Sequence, residues 1–374
     1  MFTNKQYNRL ISNTPVFICD SNVVLYKLSV IENFLNIHYP NYKIAYSFKT
    51  NYSFALSKKI KDTKLLAEVV SQKEYLLAKK NNFSDNQIIF NGPNKDLSKI
   101  SDLIKKGVTV NIDNFSELNW LIKQNISGEI GLRVNIKIKK MKLSRFGFSL
   151  EDNFKKALQL IIDSKLKLSA LHCHIGTNIN GPYAYKVVAK KMAELVNELY
   201  ITKGIVIKTI DLGGGFPSDA LLPIEYEELP TSIKEYLSVI TNELNKTLNV
   251  KDKPSLILEP GRYLVDDSVK FFTKVIDSRL LDEKQVLTVD ATMNMIPTVW
   301  YKPQKIKVLS QKNDIKNVFK TTIFGSSCQE NDILFKEEFL ECKKDDILIF
   351  YSMGAYNSSQ ASNFIFDAPK EIVI

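Results

Sequence analysis

The chain has 374 residues, 44% of them hydrophobic and 25% charged, which suits a globular protein of one large or two medium domains that completes its core without disulfides or structural metal. Net charge is +10, from 51 Lys+Arg against 41 Asp+Glu, but the lysines are scattered and do not alternate with aromatics, so a solvated surface is expected and nucleic-acid binding is not. The four cysteines (Cys19, Cys173, Cys328 and Cys342) lack CxxC spacing, and no apolar run suits a signal peptide or a bilayer span, so a cytoplasmic protein without a membrane partner is expected.

In chain order, TPVFICD near the start reads as a short β segment. Eight apolar runs follow: IAYSF from Ile44, LLAEVV from Leu65, QIIFN from Gln87, VTVNI from Val108, IGLRVN from Ile130, LSALHCH from Leu168, IKTIDLGG from Ile207 and SLILEP from Ser255. They are continuous rather than alternating, as a parallel sheet buried on both faces requires. Amphipathic stretches such as NFKKALQLIIDSKL lie between them. Eight βα units of about 20–45 residues predict an α/β fold, a closed (β/α)8 barrel of the TIM type. After Arg262 the texture changes to short β-rich segments (VKFFTKVID, QVLTVDAT, KIKVLS, KTTIFG, DILIFYS, KEIVI) with turn residues between. Chain termini often lie close together. The expected division is therefore a barrel over 28–265 and a mainly β domain formed by 1–27 and 266–374.

Reactive groups in such a barrel gather at the C-terminal strand ends. Lys49 ends the first run, where desolvation lowers an amine toward nucleophilic use; alone, it could equally be a lysine snorkelling out of a strand end. The sixth run ends in His172-Cys173-His174-Ile175-Gly176-Thr177, with both histidines on one face. They could be zinc ligands, but no third histidine lies nearby and Gly-Thr points to phosphate or ring contact, so no metal is expected. Gly213-Gly214-Gly215 after the seventh run and Gly261-Arg262 after Glu259 let backbone N–H groups and a guanidinium approach a phosphate. Together with Lys49 these converge on a phosphorylated aldehyde.

The set FKTN, AEVVSQKE, RVN, SRFGF, HCHIGT, DLGGG, EPGR, VDATMN, GSSCQEND and MGAY, in this order from Tyr46 to Phe364, resembles the fold-type III pyridoxal-phosphate decarboxylases. That group includes the diaminopimelate, ornithine, arginine and carboxynorspermidine enzymes and shares the alanine racemase-like fold. The resemblance implies pyridoxal 5'-phosphate as cofactor, held by Lys49 as a Schiff base. His174 would stack on the ring and Glu259 would meet its nitrogen. Gly176, Thr177, Gly213, Gly214, Gly215, Gly261, Arg262 and Tyr356 would hold the phosphate, and Glu68 and Arg133 would stand behind the ring. Cys328 would reach in from a second subunit to protonate carbon after CO2 leaves, beside Asp332, so the resemblance implies a homodimer with shared active sites.

The departures concern substrate. Gln329 stands where diaminopimelate and ornithine decarboxylases have an acidic residue that pairs with the substrate's distal ammonium. Residues Asn294 to Tyr301 contain no arginine for a distal carboxylate, and Phe364 replaces a customary tyrosine. The expected function is removal of the α-carboxylate from an amino acid with a neutral, conjugated or carrier-tethered tail. Tyr301, Arg262, Cys328, Gln329, Asp332 and Phe364 would line its pocket, and the basic stretch Lys137–Lys142 would suit an acidic carrier. Alternatives are the diaminopimelate decarboxylase of lysine biosynthesis, a racemase of the same fold, and a non-catalytic cofactor-binding protein. The β domain with Cys328 and Tyr356 weighs against the last.

Overall fold

The structure is a computed structural model that describes residues 13–139, 141–142, 144–219, 231–309 and 317–374. Residues 1–12 of the expected β domain and Lys140 of the basic stretch lie outside the described residues.

Strand β1 (Val16–Cys19) leads into the helix Ser21–His38, which Asp20 starts by accepting the Asn22 N–H at 3.0 Å. The apolar runs then form β2 (Tyr42–Ser47), β3 (Leu66–Val69), β4 (Ile88–Phe90), β5 (Thr109–Ile112) and β6 (Gly128–Asn135). After the two-residue β7 (Phe148–Ser149) come β8 (Leu166–His172), β9 (Thr209–Asp211) and β10 (Ser255–Leu258). All eight expected strands are present. They pair in parallel in the order β2-β3-β4-β5-β6-β8-β9-β10, and β10 closes on β2 with Leu258 opposite Ile44. Closure leaves no barrel edge exposed and buries the runs between an inner core and the outer helices. Local sequence starts and stops those helices. Ser71 and Asn114 each accept an N–H of the first turn, and Gly204 takes the left-handed conformation (φ +67°) that ends Tyr183–Lys203.

A second sheet comprises β11 (Val269–Leu281), β12 (Lys284–Val289), β13 (Ile306–Leu309), β14 (Val318–Phe324), β15 (Ile333–Leu340), β16 (Ile347–Phe350) and β17 (Lys370–Val373). Its order is β13-β16-β11-β12-β14-β15, while β1 inserts between β11, antiparallel, and β17, parallel. The first and last strands are thus neighbours, Val16 opposite Lys370. The helix Ser21–His38 runs across position 28, and its buried face of Val24, Leu28, Ile31 and Leu35 joins the large core and packs on the helix Ile233–Thr247. β15 was not among the expected strands, because FKEEFL alternates with charge on an outer face and lacks the continuous apolar run. Among the described residues no helix is long and apolar enough to cross a membrane.

Candidate active site

Polar side chains that the apolar runs lack are concentrated at the C-terminal ends of the barrel strands. Lys49 lies on the turn Phe48–Thr50 directly after β2, half-buried. Its Nζ donates to Ser47 Oγ at 2.8 Å and to Glu68 Oε2, on β3, at 2.5 Å. Ser47 Oγ donates to the same carboxylate oxygen. Burial acts to lower the Lys49 ammonium, but the Glu68 and Glu259 carboxylates outweigh it and hold the proton more tightly than on a free lysine. This corrects the sequence expectation of an amine depressed by desolvation: a buried counter-ion that the AEVV segment did not announce decides the sign. Burial likewise raises Glu68, yet Lys49 and the hydrogen bonds from Lys49, Ser47 and Asn91 bring it below the ordinary carboxylate value.

Both histidines lie at the end of β8. His174 Nδ1 accepts the Gly214 N–H at 3.2 Å, so the neutral ring carries its proton on Nε2. Burial, then Lys49 and Arg133, push His174 down to about 3, leaving a neutral imidazole suited to stacking. His172 lies deeper. Burial and the same cations hold it well below the usual histidine value, and neither ring nitrogen has a hydrogen-bond partner among the described residues.

Opposite them, Asp211 follows the β9 apolar run and Glu259 the β10 run. Polar atoms of His172, Asp211 and Glu259 all lie within 4.8 Å of one another. Burial, then the neighbouring carboxylates, raises Glu259 far above its ordinary value, and burial brings Asp211 up from 3.8 to about 7. Both shifts favour the protonated form of this carboxyl pair. The trio offers metal-ligand chemistry, but carboxyls that keep a proton, with Lys49 and Arg133 nearby, favour a partner that exchanges a proton over a bare cation. Asn91, at the end of β4, was missed in the sequence. Its Nδ2 donates to Glu68 Oε1 at 3.1 Å and to Glu259 Oε1 at 2.7 Å. The available signal was a polar residue closing the third apolar run, in the same position that Lys49 holds in the first.

The Gly213–Gly215 loop threads between these groups. A Cβ on Gly214 would come 2.1 Å from Glu259 O, and one on Gly213 would come 2.7 Å from His174 Nδ1 at a φ of +65°. The Ile179 N–H donates to Gly215 O at 2.9 Å, which ties the loop to the turn carrying Gly176 and the exposed Thr177. A Cβ on Gly261 would strike Thr50 Oγ1, so the EPGR turn abuts the lysine turn. Arg262 lies 3.6 Å from Asp266, with its guanidinium 5.1 Å from the centre of the Tyr356 ring. Tyr356 comes from the second sheet's side of the chain, yet its N–H donates to Thr50 O at 2.8 Å and its φ is +64°, a left-handed conformation held by that contact. Arg133 pairs with Asp113 at 3.2 Å and stacks on Phe146, behind this group.

Three expected residues stand apart within one chain. Cys328, a free thiol, and Gln329 are exposed on the turn between β14 and β15, and Phe364 is exposed on a bridge to Phe366. Asp332 is buried and accepts the Met293 and Ser327 N–H groups at 2.7 and 3.1 Å, so it holds the Cys328 turn in shape. Tyr301 is half exposed and within hydrogen-bonding reach of Arg262.

Buried polar atoms without hydrogen-bond partners among the described residues surround the glycine loop: Arg262 Nε, Thr50 Oγ1, Asp211 Oδ2 and both His172 nitrogens. Such groups ask for a ligand. An anionic phosphate fits the glycine and Arg262 side, a basic ring nitrogen fits Glu259, and an aldehyde fits Lys49. The family described as pyridoxal-dependent decarboxylase, pyridoxal binding domain, matches residues 29–266. The chain belongs to the pyridoxal-dependent decarboxylases. Pyridoxal phosphate is its cofactor, and it is an amino-acid carboxy-lyase of the diaminopimelate, ornithine and arginine type. The diaminopimelate decarboxylase of Methanocaldococcus jannaschii is 29% identical over 343 residues, spanning 86% of this chain and 76% of that protein. The crystal structure of that organism's enzyme with L-lysine superposes with a TM-score of 0.86 at 23% identity, covering 96% of this decarboxylase and 87% of that chain. The arginine decarboxylase of Paramecium bursaria Chlorella virus, bound to agmatine, gives 0.85 at 20% identity and covers all of both chains. At those identities the structural likeness speaks for the fold.

Proposed function

We propose that this decarboxylase acts on an amino acid whose side chain ends in a neutral or large group, conjugated or carrier-tethered, rather than on free diaminopimelate. The carrying observation is Gln329, an exposed neutral amide on the turn beside Cys328. A carboxylate there would form a charge-assisted bond to a distal ammonium; an amide cannot, and it discriminates weakly against uncharged tails. A narrow groove of about 20 Å³ lies beside His174 between Ile136, Met141 and Phe146, with Lys137 and Lys142 on its exposed rim. The charge of that rim suits a tail that ends in an acidic group or carrier.

The cofactor, when bound, supplies an electron sink that weakens the bond to the departing carboxylate. The chain's own groups do the rest. Lys49 would hold the cofactor's aldehyde and release it to the substrate amine, and the Glu68 carboxylate would balance the charge of the freed ammonium. Neutral His174 would cover one face of the ring and keep water from it. Glu259 faces the ring nitrogen and keeps a proton there. Gly213, Gly214, Gly215, Gly261, Arg262 and Tyr356 hold the phosphate. Cys328 Sγ would give a proton to the α-carbon after CO2 leaves, reaching in from a partner subunit, which would make the active form a homodimer. Its β-domain surface bears exposed apolar side chains at Trp300, Phe364, Ile365 and Phe366, which suits such an interface.

A second reading, ordinary diaminopimelate decarboxylation, is favoured by the names of the relatives and by Glu330, which is exposed one residue beyond Gln329 and offers a carboxylate from the same turn. Single-turnover CO2 release across a panel of free, conjugated and carrier-bound amino acids separates the two. Rapid release from free meso-diaminopimelate with no better substrate would overturn the first reading, and loss of that rate in Glu330→Gln would identify the replacement carboxylate.

A further inference from the structure

We infer that Asn91 is a positioning residue that couples Glu68, the counter-ion of Lys49, to Glu259, the carboxyl that meets the cofactor's ring nitrogen. The inference rests on the roles proposed above for Lys49 and Glu259. An amide nitrogen has two hydrogens, and in Asn91 each goes to a different buried carboxyl: Glu68 Oε1 at 3.1 Å and Glu259 Oε1 at 2.7 Å. The amide oxygen is occupied as well, since Asn111 Nδ2 donates to it at 2.8 Å. Turned over, Asn91 would aim its oxygen at Glu68, which is ion-paired with Lys49 and can only accept; its orientation is therefore fixed.

The backbone is held equally firmly. The Asn91 N–H donates to Val69 O at 2.8 Å, on the strand that carries Glu68. Gly92 follows at φ +89° with its Cα so close to Val70 that an added Cβ would meet Val70 O at 2.8 Å. Asn91 is thus locked against β3 and reaches across to the end of β10.

An amide is the side chain that suits this place. Burial, Asp211 and Glu68 all act to keep a proton on Glu259. Asn91 opposes them by stabilising negative charge on Glu259 Oε1 without adding charge of its own. Aspartate would add a third carboxylate, serine could serve only one acceptor, and lysine would compete with Lys49 for Glu68. The same donor group steadies Glu68, so the electrostatic state at the amine end of the site is transmitted to the ring-nitrogen end through one residue.

The test uses holoenzyme of Asn91→Asp, which keeps the shape and the acceptor for Asn111 but loses both donors. The visible absorption of the bound cofactor is titrated with pH in the absence of substrate, and kcat is measured beside it. A nearby negative charge favours the protonated form of the bound cofactor, so the titration midpoint should rise by about one pH unit or more. The kcat should fall by about tenfold or more, and combined with Glu259→Gln the loss should be clearly smaller than the product of the two single losses. A folded, cofactor-loaded variant with an unmoved midpoint, or fully multiplicative losses, overturns the coupling. Should Asn91→Asp fail to load cofactor, Asn91→Ser, which adds no charge and can serve only one of the two carboxyls, provides the same titration, and a midpoint and kcat equal to wild type in that variant overturn the coupling. Retention of the visible band in Lys49→Ala would instead overturn the assignment of Lys49, leaving the Asn91 titration readable on whichever amine holds the cofactor.

Discussion

At the scale of single residues, the site is organised by which buried charges have partners. Lys49 is stabilised as an ammonium because Glu68 lies 2.5 Å away, whereas burial shifts Asp211 and Glu259 toward their protonated forms. The pH consequence for the cofactor-free protein has a definite sign. An unfolded aspartate loses its proton near 3.8, while folded Asp211 keeps it up to about 7, so the contribution of Asp211 to stability falls as pH rises across that window. His174 acts oppositely: folded, it resists charging down to about 3, so stability is lost as pH falls below the ordinary histidine value of 6.5. Asp211→Asn removes the first trend and leaves the second. The melting temperature of the apo variant should therefore climb more steeply, or decline less, between pH 4.5 and 7 than that of the wild-type protein; identical slopes would show that Asp211 ionises normally in the fold. None of this was legible in the sequence, where Asp211 was only the residue before three glycines and Lys49 was expected to be depressed. The sign of a buried group's shift depends on partners brought from other strands.

At the scale of elements, the eight apolar runs were readable because a strand buried on both faces has no polar alternation to hide it, and their ends marked Lys49, His174, Glu259 and the glycines. β15 was not readable: with one face outward, its Lys336, Glu337 and Glu338 look like a loop. Asn91 shows the complementary limit, since an asparagine at a strand end carries no chemical signature until two carboxyls from neighbouring strands meet it. The glycine loop is the element whose sequence and geometry agree most closely. Gly214 passes so near Glu259 O that a methyl group would overlap it at 2.1 Å. Gly214→Ala must move either the loop or the EPGR turn, and overpacking of this kind costs about 1–3 kcal/mol. Cofactor affinity, measured by fluorescence titration of apoenzyme, should drop roughly 10–100-fold. Retained affinity would mean that the phosphate is held elsewhere.

At the scale of the whole molecule, one chain brings together Lys49, its counter-ion Glu68 and the glycine loop, while Cys328 and Gln329 are exposed on the turn between β14 and β15. The insertion of β1 between β11 and β17 explains why both termini build that sheet, and Tyr356, bonded to Thr50 O, fixes the segment carrying MGAY to the lysine turn. What a second copy would add is a matter of interface, which a single sequence encodes only as exposed apolar side chains. If each site takes Lys49 from one subunit and Cys328 from the other, inactive Lys49→Ala and Cys328→Ala proteins should complement. Mixed after reversible dissociation, half of the dimers pair unlike subunits, and one of the two sites in each is intact, so activity should return to roughly a quarter of the wild-type value. Each variant alone must remain near background in the same assay, and the return should depend on total protein concentration as dimer formation does. No recovery from two folded, dimerising variants would place the cysteine and the lysine of each site in one chain, or assign the proton to another residue.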